Sequence, residues 1–282
     1  MPQKRISRSV GGDIFIFLFL ACVAALMAIP LVYIISNSLK PYNELFLFPP
    51  KIFVKNPTAN NYGDLFTLIS ASWVPFSRYL LNTAMITGVG TAGNVLLGSM
   101  AAYAISKIRF PGYKICFQLV VLSLMFSSAV TQIPNYLVVA KLGWIDTYAA
   151  LIVPAFQTSL GIYLMKQFID QIPDTLIEAA GIDGAGDSRI YLSIIMPAVK
   201  PAWLTVIVLS VQSLWNATGG NFIFSEQLKT LPVAMNQIVL GGIARAGAGA
   251  AVSVVMLSVP VLTFILSQSQ VIETMATSGM KE

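Results

Sequence analysis

Residues 178–197 decide the fold of this chain, and they read EAAGIDGAGDSRIYLSIIMP. This stretch is polar and rich in small residues, whereas long apolar segments lie on both sides of it. Pro173 and Asp174 precede it. Proline is tolerated in the first turn of a helix, and a carboxylate is favourable at the positive end of the helix dipole. A helix is therefore expected to begin here.

The local pattern predicts two short helices joined by a turn. The first is expected over residues 174–182, with Glu178 on its exposed end. Asp183 and Gly184 supply the turn, with Gly184 free to adopt a positive φ as a C-terminal cap. The side chain of Asp187 or Ser188 is expected to cap a second helix that runs to Pro197.

The composition indicates an all-α integral membrane protein. The 282 residues are 56% hydrophobic and only 10% charged, whereas a soluble domain is about one quarter charged. The run Ile14–Ile35 contains no charge, and roughly 20 apolar residues suffice to cross the bilayer as a helix. We therefore expect the lipid bilayer to be the main environment of the chain.

Several function classes are excluded by residues that the sequence lacks. It contains no histidine, which excludes Ser-His-Asp triads and histidine-ligated metals. It also lacks a Gly-x-x-x-x-Gly-Lys motif for binding a nucleotide. We expect no catalytic residue, metal or cofactor in this chain, so any ATPase activity must come from another subunit. The net charge of +5 is explained by basic residues beside membrane spans, and no nucleic-acid partner is expected.

Six spans are predicted within a single transmembrane domain over residues 1–282. Their approximate ranges are 14–35, 80–105, 115–139, 148–165, 203–217 and 250–266. Lys4, Arg5 and Arg8, together with the cluster Lys107–Lys114, place both termini and a loop over 171–200 in the cytoplasm, because short basic loops stay inside. Residues 131–135 read TQIPN and are expected to interrupt the third span. We expect this stretch either to line the translocation pathway or to form a helix break at the outer membrane interface.

The spacing of the polar stretch resembles the cytoplasmic coupling loop of membrane subunits of binding-protein-dependent ABC importers. Met196 stands where the family usually has leucine, a volume-conserving change. We use the name coupling loop for residues 171–200. The motif positions are Glu178, Ala179, Ala180, Asp183, Gly184, Ile194 and Pro197.

Further segments resemble the carbohydrate-uptake permeases related to the maltose system. They are residues 38–41, 82–83, 101–104, 133–136, 142–147, 215–216, 230–233 and 279–281. The number of spans resembles that of the shorter, six-span permease subunit. The sequence after Asn216 and the glycine-rich residues 241–249 depart from the family pattern.

The resemblance implies the six-helix fold of type I ABC importer permeases in a bacterial or archaeal cytoplasmic membrane. It also implies three kinds of partner: a second homologous permease subunit, a dimeric ABC ATPase and an extracytoplasmic sugar-binding protein. The coupling loop would dock in a cleft of the ATPase, where Glu178 would pair with a basic residue. ATP-driven closure of the ATPase would then switch the permease between inward-facing and outward-facing states.

Polar and aromatic side chains in the predicted spans are candidates for contact with a sugar, because amides and aromatic rings suit hydroxyls and sugar faces. They are Asn82, Asn94, Gln132, Asn135, Trp215 and Asn216. The competing interpretation is that these side chains form hydrogen bonds between helices or anchor them at the membrane interface.

Two other functions are open to such a sequence. One is an ABC importer permease for a solute other than a sugar. The other is an ion-coupled secondary transporter, which is expected to place ionisable residues at the middle of the membrane. The predicted spans contain essentially none, so the ABC permease is favoured.

Overall fold

The computed structural model describes residues 10–70, 73–242 and 245–278, and these residues form helices and connecting segments without any strand. Lys4, Arg5, Arg8 and the segment 279–281 lie outside the described residues. The chain divides into two compact units, Met1–Ala71 with Gln237–Val255 and Ser72–Asn236 with Met256–Glu282.

The first unit begins with the long apolar helix α1, Val10–Ser38, whose side chains are exposed over most of its length. Two shorter helices follow it, α2 over Tyr42–Leu45 and α3 over Asn60–Ser70. The buried side chain of Asn61 donates to the carbonyls of Ser38 and Lys40 at 2.9 and 2.8 Å. This amide fixes the beginning of α3 against the end of α1.

The second unit contains most of the remaining helices. They are α4 (Phe76–Tyr103), α5 (Tyr113–Ser123), α6 (Ser128–Lys141), α7 (Ala149–Ala155), α8 (Ser159–Asp170), α9 (Asp174–Ile182), α10 (Asp187–Ile190), α11 (Met196–Ala198) and α12 (Lys200–Trp215). Two π-helical segments continue α4 and α10, over Ala104–Ile108 and Tyr191–Ile195. A 3₁₀ turn covers Glu226–Leu228, and α13 (Leu231–Val239) and α14 (Ala246–Ser278) extend across both units.

Helix α4 is the centre of the second unit, where it packs against α7, α8 and α12. Small residues on α4 allow this close approach. A Cβ built on Gly93 would lie only 2.2 Å from the ring of Phe156, and one built on Gly90 would lie 2.7 Å from Leu214. Interfaces of small residues are typical of helices packed in a membrane.

Four helical segments are long and apolar enough to cross a membrane: Gly11–Ser38, Phe76–Ile108, Ala149–Asp170 and Ala246–Gln268. A fifth is obtained if Asp187–Ala198 and Lys200–Trp215, which are bent by 78°, count as one span. The predicted span 115–139 coincides with two helices, α5 and α6, rather than with one.

The predicted interruption at residues 131–135 is wrong. The chain leaves the helical conformation at residues 124–127, whereas Pro134 lies inside α6. Proline removes one backbone hydrogen bond, but membrane helices tolerate it where the freed group is satisfied nearby. The break comes instead before Ser128, where Ser127 has an extended backbone.

Candidate functional site

The first helix of the coupling loop has the bounds expected from the sequence. Helix α9 covers Asp174–Ile182 and follows Pro173, whose extended backbone ends the preceding turn. Ile177 and Ala180 pack against the buried core of the second unit, and this contact fixes one face of α9. Thr175, Glu178 and Ala179 remain exposed on the opposite face.

A Schellman motif ends α9. Ala185 donates its backbone N–H to the carbonyl of Ala180 at 2.9 Å, and Gly184 donates to the carbonyl of Gly181 at 3.0 Å. Gly184 has a φ of +79°, a conformation that glycine adopts without steric cost. The predicted role of Gly184 as a C-terminal cap is therefore confirmed.

The second helix begins differently from the prediction. Helix α10 starts at Asp187, and its N-cap is Gly186, which offers no side chain. The predicted cap by Asp187 or Ser188 is wrong, because the N-cap position lies one residue before Asp187 and two residues before Ser188. The helical path then continues through the π segment to Ala198, so Pro197 lies just before the 78° bend.

Ion pairs attach the beginning of α9 to the end of the long α4 helix. Lys107 donates to one oxygen of Asp174 at 2.6 Å and to the carbonyl of Ile172 at 2.5 Å. Arg109 donates to the other oxygen of Asp174 at 3.0 Å. The hydrogen bond and the charge of Lys107, with a smaller effect of Arg109, lower the pKa of the Asp174 carboxyl.

A second connection joins the other side of the coupling loop to α4. Tyr191 is buried, and its hydroxyl shares a 2.6 Å hydrogen bond with Ser99. Its ring lies 5.8 Å from that of Tyr103. Ile195 is fully buried, and the motif residue Ile194 packs half-buried against the same core. Both arms of the coupling loop are thus fixed to α4.

One exposed residue of this site has no counterpart among the residues predicted from the motif. Ile182, the last residue of α9, is 88% exposed. With Glu178 and Ala179 it forms what we call the α9 face. Periodicity within nine residues could not reveal this exposure, because the side of α9 that packs is decided by contacts with distant helices.

The candidate pathway residues fall into two groups. Asn82, Asn94 and Trp215 are buried in contacts between segments. Asn82 donates to the carbonyls of Gln227 and Lys229, both at 2.9 Å, and accepts from the hydroxyl of Tyr148 at 2.8 Å. Asn94 donates to Ser210 at 2.6 Å and accepts from Thr158, while Trp215 donates to the carbonyl of Met256.

The other three candidates are exposed. Asn216 donates to the carbonyl of Gln212 on its own helix. Gln132 and Asn135 lie on α6, and their side chains point away from the buried core. The structure therefore does not bring the six residues together into one site.

This geometry defines a multi-pass membrane protein with a helical hairpin attached to its central helix. A family model described as "Binding-protein-dependent transport system inner membrane component" matches residues 94–273. The chain belongs to this family, whose members are permease components of transport systems.

Curated relatives cover most of the chain. The polygalacturonan/rhamnogalacturonan transport system permease protein YtcP of Bacillus subtilis is 30% identical over 81% of this chain and 78% of its own length. The galactooligosaccharides transport system permease protein GanQ of the same organism is 29% identical, with 95% of each chain covered. The sn-glycerol-3-phosphate transport system permease protein UgpE of Yersinia pestis is 30% identical over 73% of this chain and 74% of its own.

The fold is that of type I ABC importer permeases. A chain of a bacterial ABC transporter involved in the import of the acidic polysaccharide alginate superposes with a TM-score of 0.77 at 21% identity, covering 94% of this chain and 99% of that one. A chain of the alginate transporter in complex with an alginate pentasaccharide-bound periplasmic protein gives a TM-score of 0.58 at 17% identity, covering 95% and 99%.

Proposed function

We propose that this chain is one permease subunit of an ATP-driven importer of sugars or oligosaccharides. A second homologous permease, a dimeric ABC ATPase and an extracytoplasmic binding protein would complete the assembly. The observation that carries the proposal is the α9 face: Glu178, Ala179 and the 88% exposed Ile182 project from a hairpin whose other side is packed. A rigid, partly apolar projection of this kind suits a groove on a partner.

The connections of the coupling loop support a lever mechanism. A push on α9 reaches α4 through Asp174 and Lys107, and again through Tyr191 and Ser99. Because α4 packs against α8 and α12, these three helices would move together as a rigid body. Closure of the ATPase dimer could thus rotate the helical core from an inward-facing to an outward-facing state.

The names of the relatives support a carbohydrate as the solute. Polygalacturonan/rhamnogalacturonan and galactooligosaccharides appear in two of them. The sn-glycerol-3-phosphate relative supports the alternative of a solute other than a sugar. Calorimetric titration of the cognate binding protein with both classes of ligand would decide between them. Binding of glycerol phosphates but no sugar would contradict the carbohydrate proposal.

The distribution of charge favours ATP coupling over ion coupling. Within the four described candidate spans the charged side chains lie towards the helix ends: Asp13, Arg78, Lys107, Lys166 and Asp170. A proton or sodium relay would need such groups near the middle. Uptake into proteoliposomes that is abolished by vanadate and survives collapse of ion gradients is expected. The opposite pattern would identify a secondary transporter.

The proposed location is a cytoplasmic membrane with both termini and the coupling loop inside. We suggest Glu178→Cys in a background where Cys22 and Cys116 are replaced by alanine. A membrane-impermeant maleimide should label this cysteine in inside-out vesicles and leave it unlabelled in intact cells. Labelling from the outer medium would overturn the orientation and the coupling role together.

The charge of Glu178 provides the direct test of coupling. In the complete transporter, Glu178→Lys should leave the permease in the membrane and lower uptake per ATP hydrolysed about tenfold, as expected for the loss of a charge-assisted contact. Asp187→Lys is the matched control, because it makes the same charge change on α10. Normal coupling by the Glu178 variant, or equal loss in both, would contradict the proposed role of the α9 face.

A further inference from the structure

A cavity of about 440 Å³ lies in the second compact unit, and no residue of the coupling loop lines it. It is lined by Gln132, Ile133 and Tyr136 of α6 and by Asn221 and Phe224 of the segment that follows α12. This volume is within the range of sites that hold small molecules. The sequence pattern indicates the α6 side of this cavity, within residues 131–136, whereas Asn221 and Phe224 join it through tertiary contacts.

The segment that forms one wall of the cavity is held in place by Asp146. Its carboxylate accepts the backbone N–H groups of Phe224 and Ser225 at 2.9 and 2.8 Å, and also the hydroxyl of Ser225. Its own N–H donates to the carbonyl of Phe222 at 2.7 Å. Asp146 adopts a φ of +60° to make these contacts. Four hydrogen bonds to Asp146 therefore hold this wall of the cavity in place.

A ring contact fixes the wall against α6. The rings of Tyr136 and Phe222 lie 6.1 Å apart, a distance typical of favourable aromatic pairs. Phe224 remains 61% exposed and Tyr136 38% exposed. Two aromatic rings are thus held at the edge of the cavity without being covered by the described parts of the chain.

The polar groups of the cavity are available for a ligand. The side-chain amides of Gln132 and Asn221 and the hydroxyl of Tyr136 have no hydrogen-bond partner among the described residues. Two amides and a phenol offer both donors and acceptors, which matches the hydroxyl groups of a sugar. The exposed ring faces match the apolar C–H face of a pyranose.

The lining also limits the charge of the ligand. None of the five lining residues is basic or acidic. The carboxylate of the nearby Asp146 already accepts hydrogen bonds from Phe224 and Ser225. An anionic ligand would lose hydration here without gaining a counter-ion, which is costly. A neutral ligand loses less.

We propose that this cavity is a subsite for a neutral glycan on its way through the transporter, with Gln132 and Asn221 bonding its hydroxyls and Tyr136 and Phe224 packing on its ring. The proposal rests on the proposed function as a carbohydrate importer and adds the location and the charge class of the substrate. The ligand proposed for this chain therefore differs in charge from alginate, the acidic polysaccharide named for the structural neighbour.

The first experiment separates delivery of the sugar from ATP hydrolysis. The complete transporter would be reconstituted with its binding protein and supplied with neutral galacto- and gluco-oligosaccharides and, separately, with oligogalacturonates. Asn221→Ala should lower neutral sugar uptake about fivefold, the factor for loss of one neutral hydrogen bond. Tyr136→Ala should lower it by a similar factor, because it removes the aromatic ring that packs on the sugar. ATPase stimulation by the loaded binding protein should stay unchanged. Leu137→Ala, at the neighbouring exposed position of α6, should behave like the wild type.

The second experiment tests the charge class. Asn221→Arg should shift the ratio of uptake at least fivefold from neutral oligosaccharides towards oligogalacturonates, whereas Gln227→Arg adds the same charge on the same segment outside the cavity and should not. If the wild type imports sugars and the Tyr136→Ala and Asn221→Ala variants import them equally well, the subsite is overturned and the carbohydrate function stands. A wild-type preference for oligogalacturonates would overturn the neutral assignment. Failure of the wild type to import any sugar would overturn the proposed function, and the subsite with it.

Discussion

Lys107 donates to the carboxylate of Asp174 across 2.6 Å, and this ion pair joins the end of the central helix to the first residue of α9. The Lys107 side chain is 5% exposed, whereas Asp174 is about half exposed. The ammonium group is thus held in place by its surroundings, and the carboxylate, which follows Pro173 at the beginning of α9, docks onto it. This contact is where motion of the coupling loop would first reach a membrane helix.

Removal of the charge at position 174 should weaken coupling. Asp174→Asn keeps an acceptor of similar shape but loses the attraction to Lys107 and Arg109. We expect uptake per ATP to fall several-fold with the amount of assembled transporter unchanged. Asp187→Asn is the control, because this aspartate also begins a helix and has no ion pair among the described residues. Equal behaviour of the two variants would contradict a role of the Lys107–Asp174 ion pair in coupling.

The same contact predicts the response to pH. Lys107 lowers the pKa of Asp174, so the ion pair is complete above the unfolded carboxyl value of about 4 and is lost only as the pH falls through the lower folded value. Coupling through this contact should therefore be constant between about pH 5.5 and 8. The ratio of wild-type to Asp174→Asn coupling, measured across that range, should not change. A ratio that falls towards one near pH 5.5 would show that the carboxyl titrates much higher.

The conformation of Gly184 provides a test that is independent of charge. Alanine at this position would have to adopt a φ of +79°, which costs on the order of 1 kcal/mol. Gly184→Ala should therefore loosen the turn after α9 and reduce coupling several-fold. Gly186→Ala should not, because Gly186 has a φ of −73° and a Cβ built on it would have no other atom within 4 Å. Equivalent uptake by both variants would show that the Schellman motif is dispensable.

Ile182 should contribute to ATPase docking through apolar burial. If this side chain enters a groove on the ATPase, truncation to alanine removes three carbon atoms from the interface and weakens binding about tenfold or more. Binding of purified ATPase to the solubilised permease complex can be measured by surface plasmon resonance. Leu192→Ala is the control, because it truncates an apolar residue of the coupling loop that is 62% exposed but lies outside the α9 face. The same affinity for the Ile182 variant and the wild type would exclude this contact.

Local signals in the sequence were sufficient for α9 but not for its surroundings. Pro173, Asp174 and Gly184 act within one or two turns, so the bounds of the helix and its cap could be predicted. The same reasoning misplaced the interruption near Pro134, because whether proline ends a membrane helix depends on neighbours that satisfy the freed carbonyl. The exposure of Ile182 and the aromatic wall around Phe224 depend on segments far apart in the chain, and no periodic pattern encodes them.

The two amides Asn82 and Asn135 separate a structural role from a transport role. Asn82 is 2% exposed and holds the segment 227–229 through two donated hydrogen bonds. Asn82→Ala leaves the carbonyl of Lys229 and the hydroxyl of Tyr148 without their partner, at a cost of about 1–3 kcal/mol for each unsatisfied group. The carbonyl of Gln227 still accepts from Arg78 at 3.3 Å.

Differential scanning fluorimetry of the purified transporter should show an unfolding temperature several degrees lower for Asn82→Ala. Asn135→Ala should leave it unchanged, because that side chain is exposed on α6. Lower uptake by the stable Asn135 variant would then indicate contact with the solute, since its fold is intact. An Asn82 variant as stable as the wild type, but defective in uptake, would reverse the assignment and place Asn82 in the pathway.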